Sequence, residues 1–402
     1  MDLTGRVRAL TAADLTVVVR RVLRDDASVP LGWTTESPNW AALTAKGVYL
    51  LRGTARLGSG EETNWAVVLK VIEDDGAPAV HDTDGMLYWR REALALSSGL
   101  LDQQSGPFAP VRLLHVQEPA ENELWMWLEC LDDAQPKVRW TAAQHAAAAY
   151  DLGVFNAQWC ARPPSVQDFG WLSQRWLCGW FDYAVVYGGA QHAVEHRDWW
   201  RHPLIAAALA PSTYDRFAAL MGDADDLLSV LEDLPISLAH HDAQWRNLFQ
   251  LKGTDADRPH ARTVAVDWAL LGLAPLGADL GHMIGCNIEH WAVADARQHD
   301  VAATRAYLQG LQDSGWRGDE RAVRFARATT AAVQMGTYFG AEVSWLHGEP
   351  VGTWVAELRE WPQDLATKQK LTVEATMAGW ATQFEYLLDL GDEARRLATA
   401  PG

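Results

Sequence analysis

The chain has 402 residues, 49% hydrophobic and 21% charged, a balance that belongs to ordinary globular proteins and excludes a wholly disordered polypeptide. A formal net charge of −18 argues against partners that need positive surface, so neither a nucleic-acid backbone nor an anionic membrane is expected to bind. No apolar run approaches the ~20 residues that span a bilayer, and the opening Met1-Asp-Leu-Thr-Gly-Arg6 lacks a hydrophobic signal core, so a cytoplasmic protein is expected.

Cys130, Cys160, Cys178 and Cys286 are scattered and show no Cys-x-x-Cys spacing. They predict small buried apolar residues rather than disulfides or zinc ligands. The length suffices for one large core or two modest ones, and a two-lobed protein is the expectation.

In chain order, Leu15, Val18, Val19 and Val22 form a helical stripe within Thr11 to Leu23. Three extended segments follow: a weak one at Gly32 to Ser37, a stronger one at Gly47 to Leu57, and the strongest at Asn64 to Ile72. Gly58-Ser-Gly60 between the last two signals a hairpin turn. Lysine is scarce, and only Lys70 lies inside a strongly apolar strand. A charge there costs several kcal/mol unless it is paired, and a phosphate and a carboxylate would pair it. Trp89 to Leu96 opens a helix and offers Glu92 as that carboxylate, with Glu61, Glu62 and Glu73 also near in sequence.

Val111 to Val116 and Glu123 to Glu129 read as two more strands, with Pro119 in the turn between them. Thr141 to Trp159 is an Ala-rich helix in which Thr141 caps the N-terminus and Gln144 answers it. From Pro163 onward the pattern is mostly helical, apart from short strands at Ser237 to Ala239, Asn247 to Leu251 and Arg262 to Val266, with a turn at 252–260. Helices are predicted at Leu280 to Trp291, Val301 to Ser314, Glu320 to Phe339 and Leu371 to Leu390.

Those short strands flank the most informative stretch. His240-His241-Asp242-Ala-Gln-Trp-Arg-Asn247 is followed by Val264-Ala-Val-Asp267-Trp268-Ala269. An Asp, an Asn five positions on, and a second Asp at the end of an apolar run suit phosphoryl transfer, which needs metal, an orienting carboxylate and rigid placement. Asp242 is positioned to take a hydroxyl proton, while Asn247 and Asp267 offer hard oxygens to Mg²⁺. An Asp after Val-Ala-Val needs a reason, and metal supplies one. No Gly-x-x-x-x-Gly-Lys-Ser/Thr loop occurs, which argues against a P-loop fold.

These residues resemble the catalytic and metal-binding loops of the aminoglycoside phosphotransferase and choline kinase superfamily. There the first motif runs His-Gly-Asp and, after four residues, Asn; the second is an Asp closing an apolar strand, usually before an aromatic. His240, Asp242 and Asn247 match the first, and Asp267 with Trp268 the second. His241 departs from the common Gly, and Ala269 from the Gly or Glu of many members. Neither departure removes a proposed ligand or base.

The resemblance implies an α+β, bilobal protein-kinase-like fold. A small antiparallel β lobe at residues 1–129 would bind nucleotide, and a large, mainly helical lobe at 130–402 would carry the catalytic loop and substrate site. It implies Lys70 as the clamp on the α- and β-phosphates, oriented by Glu92. Backbone groups from Glu129 to Leu131 would hold the adenine edge, and Asp279 would brace the catalytic loop. Ser37-Pro-Asn-Trp-Ala41, where a phosphate-covering loop belongs, contains no glycine. Gln244 stands where protein kinases carry a phosphate-binding Lys, which favours a small acceptor over a protein. Arg246 is expected to be an exposed loop residue, with an approach to the γ-phosphate as the alternative.

The expected function is therefore transfer of the γ-phosphoryl group of ATP or GTP, with Mg²⁺, to a hydroxyl of a small molecule. The acidic balance leans toward an amine-bearing acceptor such as an antibiotic or other natural product. The 21 Trp residues lean toward one with rings. Glu289, His290, Glu342 and Trp345 are candidate wall residues. Two rivals remain: a kinase-like nucleotide-binding regulator without catalysis, and a metal-dependent hydrolase built on His240, His241 and Asp242 with His282 or His290.

Overall fold

The computed structural model describes residues 2–37, 45–131, 140–186, 188–251, 262–289, 293, 295–348 and 372–399. Ser37-Pro-Asn-Trp-Ala41 for the most part, the turn at 252–260 and His290 lie outside them. The chain divides into two compact units. The first comprises Met1–Ser105, Ala109–Asp132 and Val266–Ala269; the second comprises Gly106–Phe108, Asp133–Ala265 and Leu270–Gly402.

In the first unit, helices α1 (Leu3–Arg8) and α2 (Ala12–Leu23) precede strands β1 (Val29–Glu36), β2 (Gly47–Arg56) and β3 (Glu62–Glu73). Helix α3 (Arg91–Ser97), β5 (Leu113–Ala120) and β6 (Glu123–Glu129) follow, while the three-residue strand β4 (Phe108–Pro110), which begins in the second unit, belongs to a separate sheet. Thr11 and Asp14 form a reciprocal capping box that starts α2, and Arg24 in the left-handed region ends it. The sheet is antiparallel with order β1-β2-β3-β6-β5. Alternation along β3 places Val67, Leu69 and Val71 in one core with Leu15, Val18 and Val19 of α2. Lys70 falls on the opposite face, in register with Val48 of β2 and Met126 of β6. Because β3 is the central strand, Lys70 cannot slip past an edge to water.

Strand β5 differs from the sequence expectation. It runs through Pro119 instead of ending before it. Its place at the sheet edge, with the register shifted between Gln117 and Ala120, tolerates a residue that cannot donate to the ladder.

The second unit opens on α4 (Ala142–Ala161), capped reciprocally by Thr141 and Gln144. Helices α5 (Trp176–Val186), α6 (Ala190–Glu195), α7 (Pro203–Ala208) and α8 (Thr213–Glu232) lead to strand β7 (Ile236–Ala239). The hairpin of β8 (Leu248–Leu251) and β9 (Arg262–Ala265) follows, and β10 (Gly272–Pro275), which the sequence reading missed, pairs back onto β7. Then come α9 (Ala278–Glu289), α10 (Ala296–Asp313), α11 (Glu320–Ala331), α12 (Thr337–Gly348) and α13 (Val373–Thr399). Where one helix from Glu320 to Phe339 was expected, a π-helical turn at Ala332–Gly336 separates α11 from α12.

Helices α4 and α10 approach closely because glycines meet carbonyls on both sides. A Cβ at Gly153 would lie 2.3 Å from the Tyr307 carbonyl oxygen, and one at Gly310 would lie 2.3 Å from that of Tyr150. Buried Asn156 of α4 donates to Leu238 O at 2.9 Å, and Ser237 donates back to Asn156 O at 2.9 Å, which fixes β7 against that helix. Among the described residues no helix is long and apolar enough to cross a membrane. Of the four thiols, only Cys286 is buried, the other three being half-buried.

Candidate active site

Within the first unit the structure brings Lys70, Glu92 and Asp267 together. Lys70 Nζ lies 2.6 Å from Glu92 Oε2 and 2.7 Å from Asp267 Oδ1. Lys70 and Glu92 are 5% and 1% exposed, so this is a desolvated cluster and not a surface ion pair. Burial alone would push the Lys70 pKa down, but the two carboxylates outweigh it and raise it above the ordinary lysine value. Burial pushes the Glu92 carboxyl up, with Lys70 opposing it. Asp267 adopts a left-handed backbone (φ 62°), a conformation that short polar Asp tolerates better than most side chains.

Arg91, beside Glu92 and fully buried, had no role in the sequence reading. Its guanidinium donates to the carbonyls of Thr83 and Met86 at 2.9 Å and of Gly85 at 2.5 Å, and reaches Ala269 O at 3.3 Å. It thereby ties α3 to the segment that carries Asp267. Glu129 is held by Arg112, whose backbone and side-chain nitrogens donate to it at 2.9 and 3.3 Å. The Glu129 N–H donates to Arg112 O at 3.0 Å. Leu131 closes the described part of this segment.

Within the second unit, the loop after β7 is shaped by buried Asp279. Its two carboxylate oxygens accept the N–H groups of His240 and His241, each at 2.9 Å. His241 takes φ 61°, which explains why glycine suits this position in the superfamily it resembles. Its ring stacks on Trp176 at 5.1 Å. His240 Nδ1 accepts the Asp242 N–H at 3.1 Å, a loop-organising contact. A further brace comes from Asn287, whose Oδ1 accepts the Trp245 N–H at 3.1 Å.

Asp242 and Asn247 meet directly. Asn247 Nδ2 donates to Asp242 Oδ2 at 2.7 Å and to its carbonyl at 3.0 Å. Gln244 Nε2 donates to Oδ1 at 3.2 Å. His282 Nε2 stands 3.2 Å from the same Oδ1, a contact forty positions away that no local pattern announced. Arg246 departs from expectation. It is half-buried, lies over the Trp245 ring at 5.9 Å, and has its pKa lowered by burial. Of the candidate wall residues, Glu342 is buried and accepts the Trp380 indole N–H at 2.6 Å, Glu289 is buried, and Trp345 is 36% exposed.

The donor chemistry fits a hard divalent ion. In the second unit Asn247 spends its amide nitrogen on Asp242, which leaves its amide oxygen for a cation; in the first, Asp267 offers a carboxylate. Mg²⁺ uses one or two such groups and completes its shell with water and phosphate. Among the described residues no group of three or more His, Cys, Asp or Glu is placed to hold a metal. His240 Nδ1, moreover, is occupied by backbone.

No family model matches the chain, and no curated protein matches it. Over most of its length it is similar to solved small-molecule kinases. One is an amicoumacin kinase in complex with AMP-PNP, Ca²⁺ and Ami, at 10% identity over 92% of this chain and 97% of that one, with TM-score 0.49. Another is a microcompartment-associated aminopropanol kinase, at 14% identity over 96% and 100%, also with TM-score 0.49. A third is a spectinomycin phosphotransferase in complex with ADP and spectinomycin, at 11% identity over 94% and 99%, with TM-score 0.47. At TM-scores below 0.5, the functional reading is drawn from the side chains.

Proposed function

We propose that the protein is a cytoplasmic small-molecule kinase that transfers the γ-phosphoryl group of ATP or GTP to an alcohol. The observation that carries this reading is Lys70, a buried cation on a central strand, bonded to both Glu92 and Asp267. A lysine so placed is costly unless it serves an anion. Two of its three N–H donors face carboxylates, and the third is left for a phosphate oxygen.

In this reading residues 1–129 bind the nucleotide, with the backbone at Glu129 to Leu131 on the base edge, and residues 130–402 bind the acceptor. Asn247 and Asp267 would hold Mg²⁺, which when bound neutralises charge on the phosphate oxygens. Asp242 orients the acceptor hydroxyl and takes its proton as the new O–P bond forms; such a base is worth ~10²–10⁴ in rate.

A column of rings starts at His241 and continues through Trp176, Trp180 and Tyr183. Successive centroids are 5.1, 5.8 and 6.2 Å apart, and Tyr183 is 47% exposed. With the acidic net charge, this supports a ring-containing, amine-bearing acceptor of the antibiotic kind. The test is a panel of hydroxylated amines and antibiotics incubated with ATP or GTP and Mg²⁺ and read by mass spectrometry. A mass gain of one phosphoryl group that disappears in Asp242→Ala supports the reading. Nucleotide binding with no turnover across the panel favours the regulatory alternative.

A further inference from the structure

Helix α9 follows the catalytic loop residue by residue. Asp279 accepts the backbone of His240 and His241, His282 reaches Asp242, and Asn287 accepts Trp245. Asp279 and Asn287 hold backbone; His282 alone touches the side chain assigned as base. Its ring is 3% exposed and packs edge-on to Trp176 at 5.4 Å. Its other nitrogen, Nδ1, lies 2.9 Å from Gln334 Oε1.

Gln334 sits at the centre of the π-helical turn between α11 and α12. Such turns re-aim side chains and recur at functional sites. Its backbone carbonyl accepts the Trp180 indole N–H at 3.1 Å and the Thr337 hydroxyl at 3.0 Å, so the turn is anchored on two sides.

We propose that His282 is a positioning residue for the transfer base, held by Gln334 so that its Nε2–H fixes Oδ1 of Asp242 and leaves Oδ2 to meet the acceptor hydroxyl. The hydrogen-bond count favours this. Among the described residues, Oδ1 receives His282 and Gln244, which fill its two lone pairs, whereas Oδ2 receives only Asn247 Nδ2. In the transfer step the acceptor proton passes to Oδ2 and the acceptor oxygen bonds to the γ-phosphorus. The bond from that phosphorus to the β,γ-bridging oxygen breaks, and its electron pair leaves on the nucleoside diphosphate.

Nδ1 of His282 faces the Gln334 amide oxygen and Nε2 faces the Asp242 carboxylate, an arrangement that suits a ring protonated on both nitrogens. Burial opposes a charged ring, but the contacts with Cys286, 3.4 Å from Nε2, and with the Asp242 carboxylate outweigh it and raise the His282 pKa well above the usual value.

This role rests on the phosphotransfer reading, and the test separates the two. MgATP turnover with water as acceptor is measured for the full-length protein and for His282→Leu and His282→Gln, while nitrogen-15 NMR reports the His282 ring. The leucine variant is expected to lose about 30-fold in kcat with the KM for ATP within about twofold. Glutamine, which keeps a donor near Nε2, is expected to return to within about fivefold of the parent. The parent ring is expected to show two protonated nitrogens at pH 7. A parent protein that turns over MgATP but carries a neutral His282 ring overturns the role of His282 alone, as does a leucine variant with parental kcat. Absence in the parent both of MgATP turnover and of phosphorylation across the acceptor panel overturns the phosphotransfer reading, and the role falls with it.

Discussion

Lys70 Nζ and Asp267 Oδ1 lie 2.7 Å apart although 197 residues separate them in sequence. With Glu92 on the other side of the ammonium, they form a three-membered charged cluster with one cation and two carboxylates. Removing the cation leaves Glu92 buried without compensation, and breaking such a buried pair costs ~3–5 kcal/mol. Lys70→Met is therefore expected to lower the thermal midpoint measurably and to weaken nucleotide binding at least about tenfold. Calorimetry of ATP binding and a thermal melt check both halves. A variant that binds ATP normally removes Lys70 from the phosphate site.

In the proposed chemistry, metal dependence turns on Asp267. Asp267→Asn keeps the shape and the tolerance for a left-handed backbone but removes a negative oxygen from both Lys70 and the ion. ATP binding that strengthens with Mg²⁺ in the parent is expected to become indifferent to Mg²⁺ in the variant, and EDTA is expected to bring the parent to the same level. Titration calorimetry with and without metal reads this directly, and an unchanged Mg²⁺ effect excludes Asp267 as a ligand.

Asp242 is predicted to behave oppositely. It is half-buried, bonded to Asn247, Gln244 and His282, and in the proposed chemistry it meets the acceptor, not the nucleotide. Asp242→Ala is expected to reduce turnover by ~10²–10⁴ while leaving ATP affinity within about twofold. Parental turnover in this variant contradicts its assignment as base.

How far all this was legible in the sequence depends on the reach of each contact. Local signals worked. The Thr141 capping box and the strong strand at Asn64 to Ile72 stand in the structure where the sequence placed them. So does the hairpin between β2 and β3, because propensity and packing agree there. The π-helical turn at Ala332–Gly336 was hidden, since an inserted residue hardly disturbs a helical hydrophobic pattern. Strand β10 is four residues long and takes its identity from pairing with β7, which no local pattern carries. His282 and Arg91 act through partners distant in sequence, and only the fold reveals such partners. Arg246 was misread because a loop Arg is usually solvated, whereas here the Trp245 ring shelters it.

Beneath the catalytic loop lies a group that makes stability depend on pH. His299 of α10 is 3% exposed, packs edge-on to the His145 ring at 4.7 Å, and touches Asn287, the residue that accepts the Trp245 N–H. Burial depresses its pKa to about 4, against roughly 6.5 in an unfolded chain. The folded state therefore binds this proton less readily than the unfolded one. Its contribution to stability is fully present above pH 6.5 and is lost progressively as pH falls toward 4, about 3 kcal/mol in all. Urea unfolding between pH 7.5 and 5 is expected to show the parent losing stability more steeply than His299→Phe, which keeps an aromatic ring but cannot titrate. The difference in slope should approach ~1.4 kcal/mol per pH unit near pH 5. Equal slopes for the two proteins would mean that His299 takes up its proton without unfolding the loop support, and the histidine pair would then be an ordinary part of the core.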